Sequence, residues 1–211
     1  WDRTDPSATD TMEILMPGFE RLTNGRITID WAGDPSAVPA FEQLTPIREG
    51  IYDMSLTHSY YHSELNTLGG AQDLVYAPFA DREKCGLNAQ VDANYTKLAN
   101  IKYFPKLNGL GNGMVLDKRI EAIDLSGLNI RGYPAVEPYV KGLGGSPVAM
   151  PITDVYSALD RGLVNGSVIG GGIQSALTFS WYEVIKYIIQ PYAGETASAI
   201  LVNGDAWDAM G

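Results

Sequence analysis

Arg131 carries the clearest chemistry in the chain. It closes the run Leu128-Asn129-Ile130-Arg131, which reads as a strand, and Gly132-Tyr133 follows and breaks it. A guanidinium at the carboxyl end of a strand sits where open α/β sheets hold ligands. It is always charged and forks two N–H donors onto a carboxylate. An ion pair with a surface acid such as Asp124 or Glu137 is the other reading, and the residues alone leave the two level. His58 and His62 are four apart, a spacing that holds a metal when both sit on one helix face. Here Tyr52–His58 (YDMSLTH) alternates as a strand entering a loop, where that spacing brings no two imidazoles together. Tyr60, Tyr61, Tyr133 and Trp181 offer rigid faces with polar edges, suited to walling a pocket for a small acid or to plain core.

Enzyme signatures are missing. The chain has no G-x-S-x-G, no H-E-x-x-H and no P-loop. Gly109, Gly111 and Gly113 lack the dinucleotide-binding spacing and open no helix. Cys85, the single cysteine, excludes an internal disulfide and has no ligand-type neighbour at metal spacing. The expectation is a binding protein with no cofactor, no metal and no catalytic residue. An enzyme on the same architecture would need a convergent acid/base pair, and His58 has no orienting carboxylate beside it in sequence.

Charge and hydropathy narrow the partners. The net charge of −10 on 211 residues, with no Lys/Arg cluster, argues against nucleic acid and against an anionic membrane surface. With 45% hydrophobic and 19% charged residues the composition is globular. No stretch approaches the ~18 apolar residues that cross a bilayer. No secretory leader is read in the sequence. Trp1-Asp2 reads as the tail of a strand and Met210-Gly211 stops inside a helix that opens at Asn203-Gly204-Asp205, so the expectation is a piece of a longer chain.

The elements that must position Arg131 follow from periodicity. Met12, Leu15, Met16, Phe19 and Leu22 recur at helical spacing, with Pro17 as a kink and Asn24-Gly25 as a stop. Arg26–Trp31 alternates as a strand, Phe41–Gly50 is a short helix, and Tyr52–His58 alternates again. Asp81–Leu98 reads as one long polar helix, and Ile101–Leu116 as strand-like stretches punctuated by glycines. From Leu128 the pattern is strand to Gly132, helix Ala135–Leu143, strand Pro147–Met150, helix Ile152–Asp160, strand Val164–Ile169. Gly170-Gly171-Gly172 then marks a hinge or a close approach of backbone to ligand. Alternating strands and helices predict an α/β fold of two lobes, each a mixed sheet flanked by helices, with a ligand cleft between them. Lobe one is expected over residues 1–114 and lobe two, carrying Arg131, over 115–195. Residues 196–211 are expected to cross back toward lobe one.

Four segments resemble the DctP-type substrate-binding proteins of TRAP (tripartite ATP-independent periplasmic) transporters. They are Leu22-Thr23-Asn24-Gly25-Arg26-Ile27, Arg48-Glu49-Gly50-Ile51-Tyr52-Asp53-Met54, Asp124-Leu125-Ser126-Gly127-Leu128-Asn129-Ile130-Arg131, and Leu143 to Gly166. The resemblance implies a periplasmic protein that captures a small organic acid and delivers it to a membrane permease. It implies lobes that close by hinge motion, no membrane insertion of its own, and a monomer. A sensing module on the same fold is the alternative that sequence does not separate from transport.

The resemblance also implies site residues. Arg131 aligns with the arginine that binds the solute's carboxylate. Trp1 falls where the first strand meets the cleft. His58 falls at a strand end facing the ligand, with Tyr61 three further on. Asn112 falls at a second polar or basic position, Ile152 at an often aromatic one, and Ile169 where Asn or Trp is common. Tyr133 lines the same wall as Arg131. Asn165 stands where the family usually has Asp. With a single charged anchor, a monocarboxylate is expected over a dicarboxylate.

Overall fold

The computed structural model describes residues 9, 11–33, 37–75, 77–170, 172–190 and 194–211, apart from the side chains of 73, 106–110 and 195–197. Among them run seven strands: β1 (Met54–His58), β2 (Ile101–Leu116), β3 (Asn129–Gly132), β4 (Ser146–Ala149), β5 (Gly166–Gly170), β6 (Tyr187–Ile189) and β7 (Glu195–Asn203). The chain divides into two compact units. One comprises Trp1–Thr57, Asp92–Pro105 and Ala199–Gly211, the other His58–Val91 and Lys106–Ser198.

In the first unit, the predicted Met12–Leu22 helix is a π-helical turn, Thr11–Leu15, followed by an α-helix, Met16–Leu22. Pro17 lies in the first turn of the α-helix, where its missing N–H breaks no helical bond. It therefore marks a start rather than a kink. Asn24 and Gly25 take φ of 53° and 75°, and the Gly25 N–H donates to the Glu20 carbonyl at 2.8 Å. That is the left-handed stop the Asn-Gly pair predicts.

Arg26–Trp31 forms no strand. Ile27, Ile29 and Trp31 are partly buried while Arg26, Thr28 and Asp30 are exposed, so the alternation reports burial of one face. A strand also needs a neighbour for its N–H and C=O groups, and alternation carries no information about that. Asn203 caps the helix Gly204–Ala209 by accepting from the Ala206 N–H at 3.0 Å, and its amide donates to the Ile47 carbonyl at 2.8 Å.

The second unit holds the Arg131 strand. β3 runs parallel to β4 on one side and to β5 on the other, and β5 runs antiparallel to β2. β6 pairs antiparallel with the end of β2. The helix Glu137–Gly142 connects β3 to β4, and Val155–Asp160 connects β4 to β5. Parallel neighbours require such crossovers.

Alternation along the strands sorts the core onto two faces. Met114, Leu116, Ile130 and Val168 join Leu125, Val136 and Val140 in one buried cluster. Val115 and Ile169 join Val155, Leu159, Ala176 and Trp181 in another. Helices cover both faces, as the strand–helix alternation predicts.

Two further expectations change. The long helix over 81–98 is two helices, Phe79–Lys84 and Leu87–Ala99, separated at Gly86, whose φ is +78°. The stretches over 101–116 are one continuous 16-residue strand. Hydrogen-bonded neighbours outweigh the low strand propensity of its glycines.

Candidate functional site

Arg131 sits near the end of β3, level with Val148 of β4 and Ser167 of β5. Gly132 ends the strand, and a Cβ there would come within 2.6 Å of the Val136 side chain. Glycine thus lets the chain turn directly into the following helix. Met150 lies one residue beyond β4, and Val168 lies within β5. The guanidinium is 1% exposed and lies among the carboxyl-terminal ends of these three parallel strands.

Its hydrogen bonds define what it offers. Nε and Nη2 both donate to the Met150 carbonyl oxygen, at 3.0 and 2.9 Å, and Nη1 donates to the Val168 carbonyl at 3.3 Å. A guanidinium has five N–H donors. Three are committed to backbone oxygens, and one remains on each terminal nitrogen. Among the described residues no carboxylate pairs with it. The two acids that could have done so are otherwise engaged. Glu137 pairs with Lys141 at 3.1 Å. Asp124 is held below the usual carboxylate range by the Ser126 side chain and then its backbone N–H, the latter at 2.9 Å. A buried cation held by carbonyl dipoles with no counter-charge is a strong electrostatic site for an anion.

The other expected residues fall into separate groups. Ile152 and Ile169 lie with Val148 and Met150 in the cluster on the Arg131 face of the sheet. His58, Tyr60, Tyr61 and Tyr133 form an aromatic stack in the same unit. Tyr133 stacks on Tyr60 at 3.8 Å between centroids, Tyr60 stacks on His58 at 4.6 Å, and Tyr61 meets Tyr60 edge-on at 4.5 Å. Tyr60 and Tyr133 are 5% and 1% exposed and belong to the core on the opposite face. Their ring faces are spent on one another. Trp181 is fully buried in the Arg131-side core.

Asn112 is buried on β2 opposite Gly170, and alternation places it with Met114 on the face away from Arg131. Its backbone N–H donates to the Gly194 carbonyl at 2.7 Å. Asn165 precedes β5 at the amino ends of the strands, two residues before the level of Arg131. Trp1 lies outside the described residues.

His62 is buried beside the stack, and desolvation lowers its pKa from 6.5 to about 4. Among the described residues no cluster of three or more His, Cys, Asp and Glu side chains could hold a metal ion. No helix among them is long and apolar enough to cross a membrane. The carbonyls of Met150 and Val168 escape sequence reading, because a backbone acceptor leaves no mark in residue type.

Solved structures share this architecture. The chain superposes on a TRAP transporter solute-binding protein from Bordetella bronchiseptica, a dimer with copurified calcium and picolinate at its active site, with a TM-score of 0.86. Identity is 22%, over 99% of this chain and 65% of that one. A TRAP periplasmic solute-binding protein from Pseudoalteromonas atlantica with bound sodium and pyruvate superposes with a TM-score of 0.80 at 22% identity, over 97% and 64% of the two chains. The fold is therefore that of the TRAP periplasmic solute-binding proteins.

Within that class, the family model for bacterial extracellular solute-binding proteins, family 7 (DctP), matches residues 1–211, and the chain belongs to this family. A monocarboxylate 2-oxoacid-binding periplasmic protein from Nostoc is 26% identical over 94% of this chain and 57% of its own length. The chain spans less than two thirds of the length of these three relatives.

Proposed function

We propose that this chain is the solute-binding part of a TRAP-type secondary transporter, acting outside the cytoplasm as a monomer that delivers a small organic acid to a membrane permease. The observation that carries this reading is Arg131, a buried guanidinium without a carboxylate partner among the described residues. Two N–H donors remain at its tip, one on Nη1 and one on Nη2. Family membership supports it, as do the acids named for the relatives: 2-oxoacids for the Nostoc protein, and pyruvate in the Pseudoalteromonas structure.

A carboxylate completes the site. It supplies the missing charge and accepts the remaining donors, and charge-assisted hydrogen bonds of this kind contribute about 1.5–3 kcal/mol net. The side chains of Ile152 and Ile169 on the same face are aliphatic. They supply no second cation for a dicarboxylate.

A thermal-shift panel of organic acids, with neutral sugars as controls, tests the reading. An acid at about a hundred times its Kd stabilises the fold by roughly 2.7 kcal/mol. A shift with acids that vanishes in Arg131→Ala is expected. Equal shifts in both proteins, or no shift with any acid, would overturn the reading.

A further inference from the structure

Asn165 makes no hydrogen bond to Arg131, yet it joins β2, β3 and β5, and the last two carry Arg131 and the Val168 carbonyl that holds it. Its backbone N–H donates to the Asn129 carbonyl at 2.7 Å, and its side-chain oxygen accepts the Asn129 N–H at 3.0 Å. Its carbonyl accepts the Asp117 N–H at 2.8 Å, and its amide donates to the Asp117 carboxylate at 3.2 Å. Asn129 in return donates from its amide to the Leu163 carbonyl at 3.3 Å. Asn129 opens β3, Asp117 follows β2, and Asn165 precedes β5.

Gly166 tightens the same joint. A Cβ there would run into the Val115 carbonyl oxygen, and it would come within 2.6 Å of a Leu116 methyl. β5 and β2 therefore meet with no space for adjustment at this level. Two residues beyond Asn165, about 7 Å at strand rise, lies the level of Ser167 and Arg131. The Val168 carbonyl that holds Nη1 comes next. A strand slip or splay at Asn165 is carried along rigid strands to the acceptor that aims the guanidinium.

We infer that Asn165 is a positioning residue for the Arg131 anchor: it locks β3 against β5 so that the Val168 carbonyl holds Nη1 of the guanidinium with its two outer N–H donors facing the solute. The role needs an amide. The Asn165 amide is the one side-chain donor to the Asp117 carboxylate among the described residues, and the other Asp117 oxygen is buried without a partner. A carboxylate at position 165 would face Asp117 with no proton between them, and two such groups cannot both ionise at that separation.

The role assigned to Asn165 rests on the proposed function for its ligand but can be tested without it. Asn165→Asp, Asp117→Asn and the exchanged pair Asp117→Asn/Asn165→Asp would be compared with wild type. One readout is the hydrogen exchange of the Arg131 Nη1–H by NMR, which the Val168 carbonyl protects whatever the ligand. The other is the Kd for pyruvate as probe, at pH 7.5 and pH 4.5.

Asn165→Asp is expected to expose the Nη1–H and weaken pyruvate about tenfold at pH 7.5, equivalent to 1.4 kcal/mol. Both effects should recede at pH 4.5, where the pair shares a proton, and in the exchanged pair, where a donor faces an acceptor again. A lower Tm with unchanged Nη1–H exchange would make Asn165 a stabilising residue only and overturn the inference. If pyruvate fails to bind wild type, the transport reading loses support, while the exchange measurement still decides the role of Asn165.

Discussion

The second unit buries two arginines, and they differ in what holds them. Arg82, in the helix Phe79–Lys84, is 6% exposed and donates to the Ala77 carbonyl at 2.9 Å and the Val75 carbonyl at 2.6 Å. Those acceptors lie five and seven residues away, so Arg82 ties down the loop leading into its own helix. Arg131 is 1% exposed and draws its acceptors from 19 and 37 residues away, one just past the end of β4 and the other within β5. Burial and carbonyl acceptors are common to both. What separates them is the origin of the acceptors: a local loop in one case, and in the other the carboxyl ends of parallel strands, the end at which open α/β sheets hold ligands.

The sharpest way to break that contrast is to remove each arginine. Arg131→Ala should weaken acid binding by about 2–5 kcal/mol, the range for truncating one partner of a buried charge pair. Titration calorimetry with pyruvate or another responsive acid reads this directly, and an unchanged Kd would refute the anchor. Arg82→Ala should leave that Kd alone and lower stability by about 1–3 kcal/mol, because the Val75 and Ala77 carbonyls lose their donors. Urea unfolding separates the two proteins. If Arg82→Ala lost affinity and kept its stability, the division into staple and anchor would be wrong.

His62 extends the contrast to a third buried basic group. Unlike the arginines it gives up its charge, its pKa falling from 6.5 to about 4 through desolvation. The unfolded chain therefore binds more protons between these values. Stability is fully present above pH 6.5 and is lost as pH falls toward 4, by about 2 kcal/mol at pH 5. His62→Gln should flatten that part of the pH–stability curve, and a curve identical to wild type would show that His62 does not cause it. The smallest effect belongs to Arg131→Lys. It keeps the charge but cannot hold two carbonyls and fork onto a carboxylate at once, so acid binding should weaken by about tenfold, or 1.4 kcal/mol. Full retention would mean that the site needs a positive charge and no planar fork.

Several elements were legible because their cause is local. β1, β3, β4 and β5 lie within two residues of where alternation and glycine punctuation place them, and the Asn24-Gly25 stop takes the left-handed conformation its residues favour. Arg26–Trp31 shows the limit of that reading. Its alternation does bury one face, but strand pairing depends on a neighbour remote in sequence. The aromatic residues show another. Tyr60, Tyr61 and Tyr133 lie together while Trp181 lies in the core on the other face, Tyr60 stacks between Tyr133 and His58, and no residue type announces its partner.

By itself the sequence determined the α/β class and the family, since these rest on local periodicity and motif order, and it singled out Arg131 as a candidate through the fixed charge of a guanidinium. Only the tertiary structure decided that Asp124 and Glu137 are engaged elsewhere. It also decided that Met150 and Val168 hold the guanidinium through backbone oxygens, that Asn112 lies on the far face of the sheet, and that Asn165 works at the strands' opposite end. Each of these depends on strand register, which brings together groups tens of residues apart and moves every side chain to the other face with a slip of one.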